Sequence, residues 1–337
     1  MLNKNVIIDV SSLSKQFRVQ KYHRGFLATF RNLISQEYNL IKAVDNISFQ
    51  IGVGELVGYL GPNGAGKSTT IKMLTGLLVP SSGTLRVNNY IPWKDRRRYV
   101  AGIGVVFGQR TTLWWDLPVV DSLELLQHIY HIPSDRFRKN FSEYCQLLDM
   151  GVFINMPVRT LSLGQRMRAD LCAALLHDPA ILFLDEPTIG LDIVAKERIR
   201  EFILHINKEH GTTIILTTHD LSDMEKLCER VMILDHGKLL FDGLLDNLRA
   251  RFGGKRKLVV DFAEEYTDCS ISGAEIENRT GSQVTYLFDR HQMTASELIG
   301  AISIRFRIKD LQVKEPEIED TIRRIYEQNL LSNERGE

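Results

Sequence analysis

Residues 61–69 read GPNGAGKST, and no other stretch constrains the fold of this chain as much. They follow the apolar run ELVGYL and precede TIKMLTGLL, so a strand, a glycine-rich turn and a helix come in succession. Glycines let consecutive backbone N–H groups turn inward around phosphate oxygens, where side chains would block the approach. The helix N-terminus adds partial positive charge. This GxxxxGK[ST] pattern in that context implies a nucleoside triphosphate site. Gly61, Pro62, Asn63, Gly64, Ala65, Gly66, Lys67, Ser68 and Thr69 wrap the phosphates; Lys67 reaches the β- and γ-phosphates and Ser68 holds Mg2+.

Around that turn, short apolar runs alternate with longer helical patterns to about residue 237, the rhythm of an α/β sheet. Glu55–Leu60, Ile103–Phe107, Ile181–Leu184, Thr213–Leu216 and Val231–Leu234 read as strands. Between Trp114 and Arg159 strand signals give way to helical periodicity, a helical insertion in the sheet domain. RFGGKRK, Arg251–Lys257, joins a glycine pair to a charge run and reads as a linker. Beyond it, Lys257–Phe262, Gln283–Phe288 and Ile302–Ile308 read as strands and Glu317–Asn329 as a helix. The expectation for 251–337 is a small α+β domain.

Two further motifs carry chemistry. ILFLDEP, Ile181–Pro187, is a buried parallel strand with two carboxylates at its carboxyl end, where ligands of open α/β sheets sit. Asp185 would hold Mg2+ through water and Glu186 would take a proton from the attacking water. By itself an acidic pair ending a strand also reads as a solvated turn. LSLGQ, Leu161–Gln165, precedes the helical pattern RMRADLCAALL, and Ser162 with Gln165 fits a capping box. A serine-capped, glycine-bearing helix start is an anion site as well, so the two readings are compatible.

Composition narrows the class. Lysine plus arginine and aspartate plus glutamate both total 42, so no net field favours polyanions, which counts against a nucleic-acid partner. Apolar residues at 44 % and charged residues at 25 % suit a soluble globular chain, and no apolar run reaches the roughly 18 residues that cross a bilayer. MLNKNVIIDV has no secretion-signal pattern. Cys145, Cys172, Cys228 and Cys269 form no CxxC pair and read as reduced core thiols.

These residues together carry a resemblance. The chain resembles the nucleotide-binding subunit of an ATP-binding cassette (ABC) transporter over nearly all of residues 7 to 240, with phosphate loop, LSLGQ and LDEP in the family's order. Gln109 in VVFGQR is similar to its Q-loop, Gly190–Leu191–Asp192 to its D-loop, and His219 in TTHD to its switch histidine. The resemblance implies an α/β P-loop NTPase (RecA-like) fold, an ABC ATPase domain over 1–250 with a helical subdomain at about 110–162 that carries Q-loop and signature. It implies ATP and Mg2+ as ligands and ATP hydrolysis as the reaction. Two subunits, identical or sister chains, would pair head to tail. Ser162, Gly164 and Gln165 of one would then face a γ-phosphate held by Lys67 of the other. Glu186 would polarise the water, His219 would steady the γ-phosphate and base, Gln109 would link Mg2+ to a membrane partner, and Asp192 would position parts of the site across the dimer. The implied partner is an integral-membrane permease, and the implied place is the cytoplasmic face of the cell membrane. The family's usual LSGGQ has glycine where Leu163 stands here, a departure that bears on rate more than on nucleotide contact.

Several stretches are particular to this chain. Phe17 in LSKQF matches the family's adenine-stacking aromatic, with Tyr22 and Tyr38 as rivals and core packing as the plainer account. Lys15–Lys42 is a basic amphipathic insertion whose Phe26, Leu27, Phe30, Leu33 and Ile34 share one helical face; it reads either as a helix packed on its own domain or as one contacting the membrane partner or anionic headgroups. Trp114 and Trp115 fall where the family's helical subdomain meets its permease, although ordinary packing also suits them. GIGVVFGQRTTLWWDLPVVDSL resembles exporter ATPases that include viologen exporters, and VKEPEIEDTIRRIYEQ resembles the closing motif of drug-exporter subunits. A soluble ABC-class ATPase acting on ribosome or DNA shares the nucleotide motifs, but this chain has a single uninterrupted cassette and no sustained heptads. A GTPase or small kinase explains neither LSLGQ nor His219.

Overall fold

The computed structural model describes residues 6–20, 38–108, 110–218, 220–252, 255–289, 292–315 and 318–327. The chain divides into two compact units, Met1–Gly243 and Leu244–Glu337.

In the first unit, β1 (Val6–Gln20) and β2 (Tyr38–Gly52) pair antiparallel, from Val6 opposite Gly52 to Gln20 opposite Tyr38. β3 (Leu56–Leu60) runs through the glycine turn into α1 (Lys67–Leu74). β4 (Ser82–Val87) pairs with β1 and completes a three-stranded antiparallel sheet, β2-β1-β4. Then come α2 (Arg96–Val100), β5 (Ile103–Phe107), α3 (Val119–Ile129) and α4 (Ser134–Leu147). A short 3-10 turn at Val158–Thr160 leads to α5 (Leu163–Leu175). The unit closes with β6 (Ile181–Asp185), α6 (Ile193–His210), β7 (Thr213–Thr217), α7 (Leu221–Leu227), β8 (Arg230–Asp235) and β9 (Lys238–Leu244).

The strands from β5 onward form, with β3, a six-stranded sheet ordered β5-β6-β7-β3-β8-β9. Its β5-β6-β7-β3-β8 portion is parallel. All four residues of Ile181–Leu184 are buried, as a strand covered on both faces demands. Because these strands run the same way, the turns after β3, β5, β6 and β7 emerge at one edge of the sheet, where parallel sheets place ligands. The two sheets share one core, with Ile8, Val10 and Leu13 of β1 packed together with Tyr59, Ile71, Phe183 and Ile215.

The second unit begins with α8 (Leu245–Phe252) and β10 (Arg256–Phe262), followed by β11 (Ala274–Thr280), β12 (Gln283–Phe288), α9 (Ala295–Arg305), β13 (Ile308–Lys314) and α10 (Ile318–Glu327). Its antiparallel sheet is ordered β11-β12-β10-β13. Leu258, Val260 and Phe262 alternate inward from β10 and meet Tyr286, Phe288, Leu298 and Ile302.

Three expectations are corrected. Ile302–Ile308 is no strand: a capping box in which Thr294 and Glu297 exchange hydrogen bonds starts α9, and Leu298 and Ile302, one helical turn apart, are its buried face. The strand of that region begins only at Ile308. Arg251 and Phe252 end a helix and Arg256 already begins a strand, so both ends of the expected linker are regular structure, and the unit boundary falls before α8. The ends of the Lys15–Lys42 insertion are strand: Gln16 lies opposite Lys42, Phe17 opposite Ile41 and Arg18 opposite Leu40. Phe26, Leu27, Phe30, Leu33, Ile34 and Tyr22 lie outside the described residues.

Candidate nucleotide-binding and catalytic site

The glycine turn between β3 and α1 is shaped by its neighbours. Gly66 has φ +104, and a Cβ there would come 2.4 Å from the Ala43 carbonyl oxygen of β2, so only glycine lets strand and turn meet. The Ala65 carbonyl accepts from Gly237 N–H at 3.0 Å, and Asp45 N–H donates to the Gly237 carbonyl at 2.8 Å, which ties the turn to β2 and to the β8–β9 connection. Lys67 is only 6 % exposed, and its ammonium donates to the carbonyls of Gly61 at 2.5 Å and Pro62 at 3.1 Å. Burial pulls its pKa below the usual lysine range, while the carboxylates of Glu186 and Asp185 act in the opposite sense.

Asp185 ends β6 beside this turn. Its Oδ1 accepts from Thr217 Oγ1 at 2.5 Å and from Ser68 Oγ at 3.4 Å. Glu186 follows at φ +55, a conformation unusual for a residue with a side chain. Its backbone N–H donates to the Thr217 carbonyl at 3.0 Å and lies 3.2 Å from the Thr217 hydroxyl. On the other side, Gly108 N–H donates to the Asp185 carbonyl at 2.8 Å. The end of β6 is thus held from β5 and from β7 together. A cleft of about 450 Å3 opens here, lined among others by Asn63, Ser68, Arg110, Asp185 and Glu186. A hydroxyl and a carboxylate converging beside a glycine-shaped turn are a donor set that suits a hard divalent cation with phosphate oxygens.

Ser162 caps α5: Gln165 N–H donates to Ser162 Oγ at 3.3 Å and Ser162 N–H to Gln165 Oε1 at 2.9 Å. Leu163, at the first position of α5, packs on the loop after β6, where a Cβ on Gly190 (φ +69) would come 3.1 Å from Leu163 Cδ2. Asp192 is the N-cap of α6, accepting from Ala195 N–H at 2.8 Å. Phe17 is 37 % exposed on β1, with the Lys15 ammonium 5.4 Å from its ring centre. It pairs with Ile41, two residues before the Ala43 that touches Gly66, so its strand runs beside the phosphate turn. Tyr38 is exposed further out on the same hairpin. Gln109 and His219 lie outside the described residues, but their flanks are described.

Those flanks hold residues that motif reading passed over. Asp170 on α5 accepts at Oδ1 from Thr112 N–H at 2.9 Å and from the hydroxyls of Thr111 at 2.9 Å and Thr112 at 3.1 Å, just beyond Gln109. Burial pushes its carboxyl up to about 6, against those hydrogen bonds and the charge of Arg166. Beside His219, Asp220 caps α7 and receives Lys196 at 2.5 Å. Buried Asp223 accepts from Thr188 Oγ1 and from Arg200 Nε at 2.6 Å, tying the loop after β6 to α7. Acids in helical sequence signalled nothing by spacing; the Thr-Thr run before His219 was the one available clue to Thr217.

Trp114 and Trp115 are 40 % and 50 % exposed, and the Arg166 guanidinium lies 5.7 Å from the Trp115 ring centre. Cys172, Cys228 and Cys269 are buried, and all four cysteines are free thiols. Among the described residues no helix is long and apolar enough to cross a membrane.

Comparison with known proteins agrees with this geometry. Residues 44–189 match the family described as ABC transporter. The linearmycin resistance ATP-binding protein LnrL of Bacillus subtilis is 31 % identical over 294 residues, covering 85 % of this chain and 94 % of that protein. The daunorubicin resistance ATP-binding protein DrrA3 of Streptomyces coeruleorubidus is 34 % identical over 225 residues, 67 % of this chain and 71 % of its own. Among solved structures, the dimeric ATP-binding cassette MJ0796 in a post-hydrolysis state with ADP and Pi superimposes with a TM-score of 0.59 at 26 % identity, over 71 % of this chain and 98 % of that one.

Proposed function

The chain belongs to the ATP-binding subunits of ABC transporters, and on that premise we propose how its residues divide the work of hydrolysing ATP. The observation that carries the assignment is the convergence of Lys67, Ser68, Asp185 and Glu186 at one edge of the parallel sheet, with Ser68 Oγ 3.4 Å from Asp185 Oδ1.

The backbone of Gly61, Pro62, Asn63, Gly64, Ala65 and Gly66, with Thr69, wraps the phosphates, and Phe17 stacks on adenine. Lys67 exchanges neutral carbonyl acceptors for β- and γ-phosphate oxygens, a stronger charge-assisted interaction. Ser68, Asp185 and Gln109 would hold Mg2+, which supplies positive charge against the phosphate oxygens as it builds up. Glu186 takes the proton of the attacking water while Thr217 accepts from its backbone N–H and Gly108 N–H holds the carbonyl of Asp185 before it. His219 steadies the γ-phosphate. Ser162, Gly164 and Gln165 serve the nucleotide of a second ATPase subunit, with Asp192 completing the shared site. Pairing on ATP and separating after hydrolysis is a two-state switch.

That switch energises a separate integral-membrane permease from the cytoplasmic face of the membrane. Export of a drug-like or other substrate is supported by the resistance proteins this chain is similar to. The exposed Trp114–Trp115 pair supports docking of the permease at the helical subdomain, and the second unit supports an accessory or regulatory role in pairing. Purified chain with ATP and Mg2+ should release phosphate, and Lys67→Ala should lose both binding and turnover. Wild-type turnover in Lys67→Ala would overturn the assignment, as would recovery of the native chain in a fraction free of membranes and permease.

A further inference from the structure

Away from the nucleotide cleft, three side chains from two helices converge. Glu143 Oε1 on α4 lies 3.0 Å from His205 Nε2 and 3.0 Å from His210 Nε2, both on α6. One donor atom from each of the three falls within 4.8 Å of the others. We propose that Glu143, His205 and His210 form a site for a divalent transition-metal ion, with Zn2+ as its occupant.

The chemistry follows from the donors. Two imidazoles and a carboxylate form a ligand set that zinc favours, with a fourth position for water. Zinc–ligand lengths of about 2.0–2.2 Å in a tetrahedron put neighbouring donors roughly 3.3 Å apart, so the two 3.0 Å separations need little adjustment. Asp178 Oδ1 lies 3.9 Å from His210 Nδ1, beyond hydrogen-bond reach but near enough to add negative charge beside the site.

The surroundings hold the rings. His205 and His210 meet edge to face with centres 5.9 Å apart, and the Tyr144 ring centre lies 6.0 Å from that of His210. His210 is the last residue of α6, and Asn207 fixes that helix end by donating to the Gly54 and Thr212 carbonyls at 2.8 and 2.9 Å. The groups are partly buried, so an ion has an entry path and loses part of its water on binding. Without metal, the same arrangement is two imidazole N–H groups donating to one carboxylate oxygen. A bound ion would join α4, inside the helical stretch, to α6.

The test is calorimetric titration of the full chain with Zn2+ at neutral pH, after chelator treatment and without nucleotide. One ion per chain is expected. His205→Ala and His210→Ala should each weaken binding at least about 100-fold. Asp185→Asn, which alters the nucleotide cleft, should leave zinc affinity unchanged. Co2+ in place of Zn2+ should give visible absorption that His205→Gln removes. Melting in chelator keeps the variants interpretable: His205→Gln should unfold at the wild-type temperature there, and only the wild type should gain stability from zinc. Absence of binding, or binding that survives His205→Ala and fails in Asp185→Asn, overturns the site.

Discussion

Asp170 on α5 accepts the backbone N–H of Thr112, 2.9 Å away, and so fastens the helix that begins at the signature to the segment that follows Gln109. Burial raises its carboxyl to about 6, above the unfolded value near 3.9. The folded state then binds the proton more tightly than the unfolded state. The stability this confers is fully present below about pH 4 and is lost as pH rises through about 6. Asp170→Asn keeps an acceptor for the three donors without burying a charge. We expect it to equal or exceed wild-type stability at neutral pH and to flatten the pH dependence between about 4 and 6 in urea titrations. Asp170→Ala strands the donors of Thr111 and Thr112 and should lose about 1–3 kcal/mol.

Glu186→Gln should bind ATP within about twofold of wild type and lower phosphate release by about 100-fold or more, the range for loss of a general base. Its amide keeps the size of the side chain, and the backbone bonds to Thr217 do not depend on the side chain. ATP should then hold a closed pair of subunits long enough to be seen by size exclusion. A variant with the wild-type rate removes Glu186 as the base.

At Gly66 both the positive φ and the 2.4 Å approach to the Ala43 carbonyl oppose any side chain. Gly66→Ala should therefore shift the phosphate turn rather than simply crowd it, with ATP affinity falling at least about tenfold, a loss of about 1.4 kcal/mol. Thermal melting separates this from unfolding: the variant should still melt cooperatively while nucleotide no longer raises its melting temperature.

How much of this was legible from residues alone depended on the range of the interaction. The strand–turn–helix at 55–74, the buried run Ile181–Leu184 and the Ser162–Gln165 cap are local, and periodicity and spacing find local structure. The antiparallel arms β1 and β2 were not legible as strands, because Phe17 opposite Ile41 and Gln16 opposite Lys42 are pairings across a gap that a basic amphipathic stretch fills. Ile302–Ile308 misled because β-branched residues suit strands, whereas the Thr294–Glu297 cap starts a helix that carries through Arg305. At the site, Lys67 and Ser68 start the helix after the glycine turn and Asp185 ends β6 with Glu186 after it, whereas Ser162, Asp192 and Phe17 sit on other elements. Thr217, which bonds Asp185 and Glu186, and Asp170, Arg200 and Asp223, which brace the segments beside them, act through tertiary contacts that spacing does not encode.

The pair Arg200–Asp223 makes that support measurable. Asp223 is almost wholly buried, and Arg200 donates to it while also reaching Glu197 at 2.7 Å. Arg200→Met would leave a buried carboxylate with Thr188 as its remaining named partner, and about 3–5 kcal/mol of stability should go. The double variant Arg200→Met with Asp223→Leu removes both charges and should recover much of that loss. A double-mutant cycle by urea denaturation checks it, since a coupling energy near zero would mean the pair contributes nothing through its contact.

Phe17 stands apart from these because its strand pairing places it without fixing its role. The ring is part exposed, lies on a strand whose neighbour touches the phosphate turn, and carries the Lys15 ammonium on one side. Aromatic stacking on a base is worth about 1–3 kcal/mol, so Phe17→Ala should weaken ATP binding by roughly 5- to 150-fold, and Phe17→Tyr should retain it. Loss of a core residue would instead lower the melting temperature with affinity intact. Tyr38→Ala supplies the comparison, because it lies at the outer end of the same hairpin and shares its exposure. Measured with a fluorescent ATP analogue, loss in Phe17→Ala with retention in Tyr38→Ala assigns the adenine contact to Phe17. The reverse pattern transfers it to Tyr38.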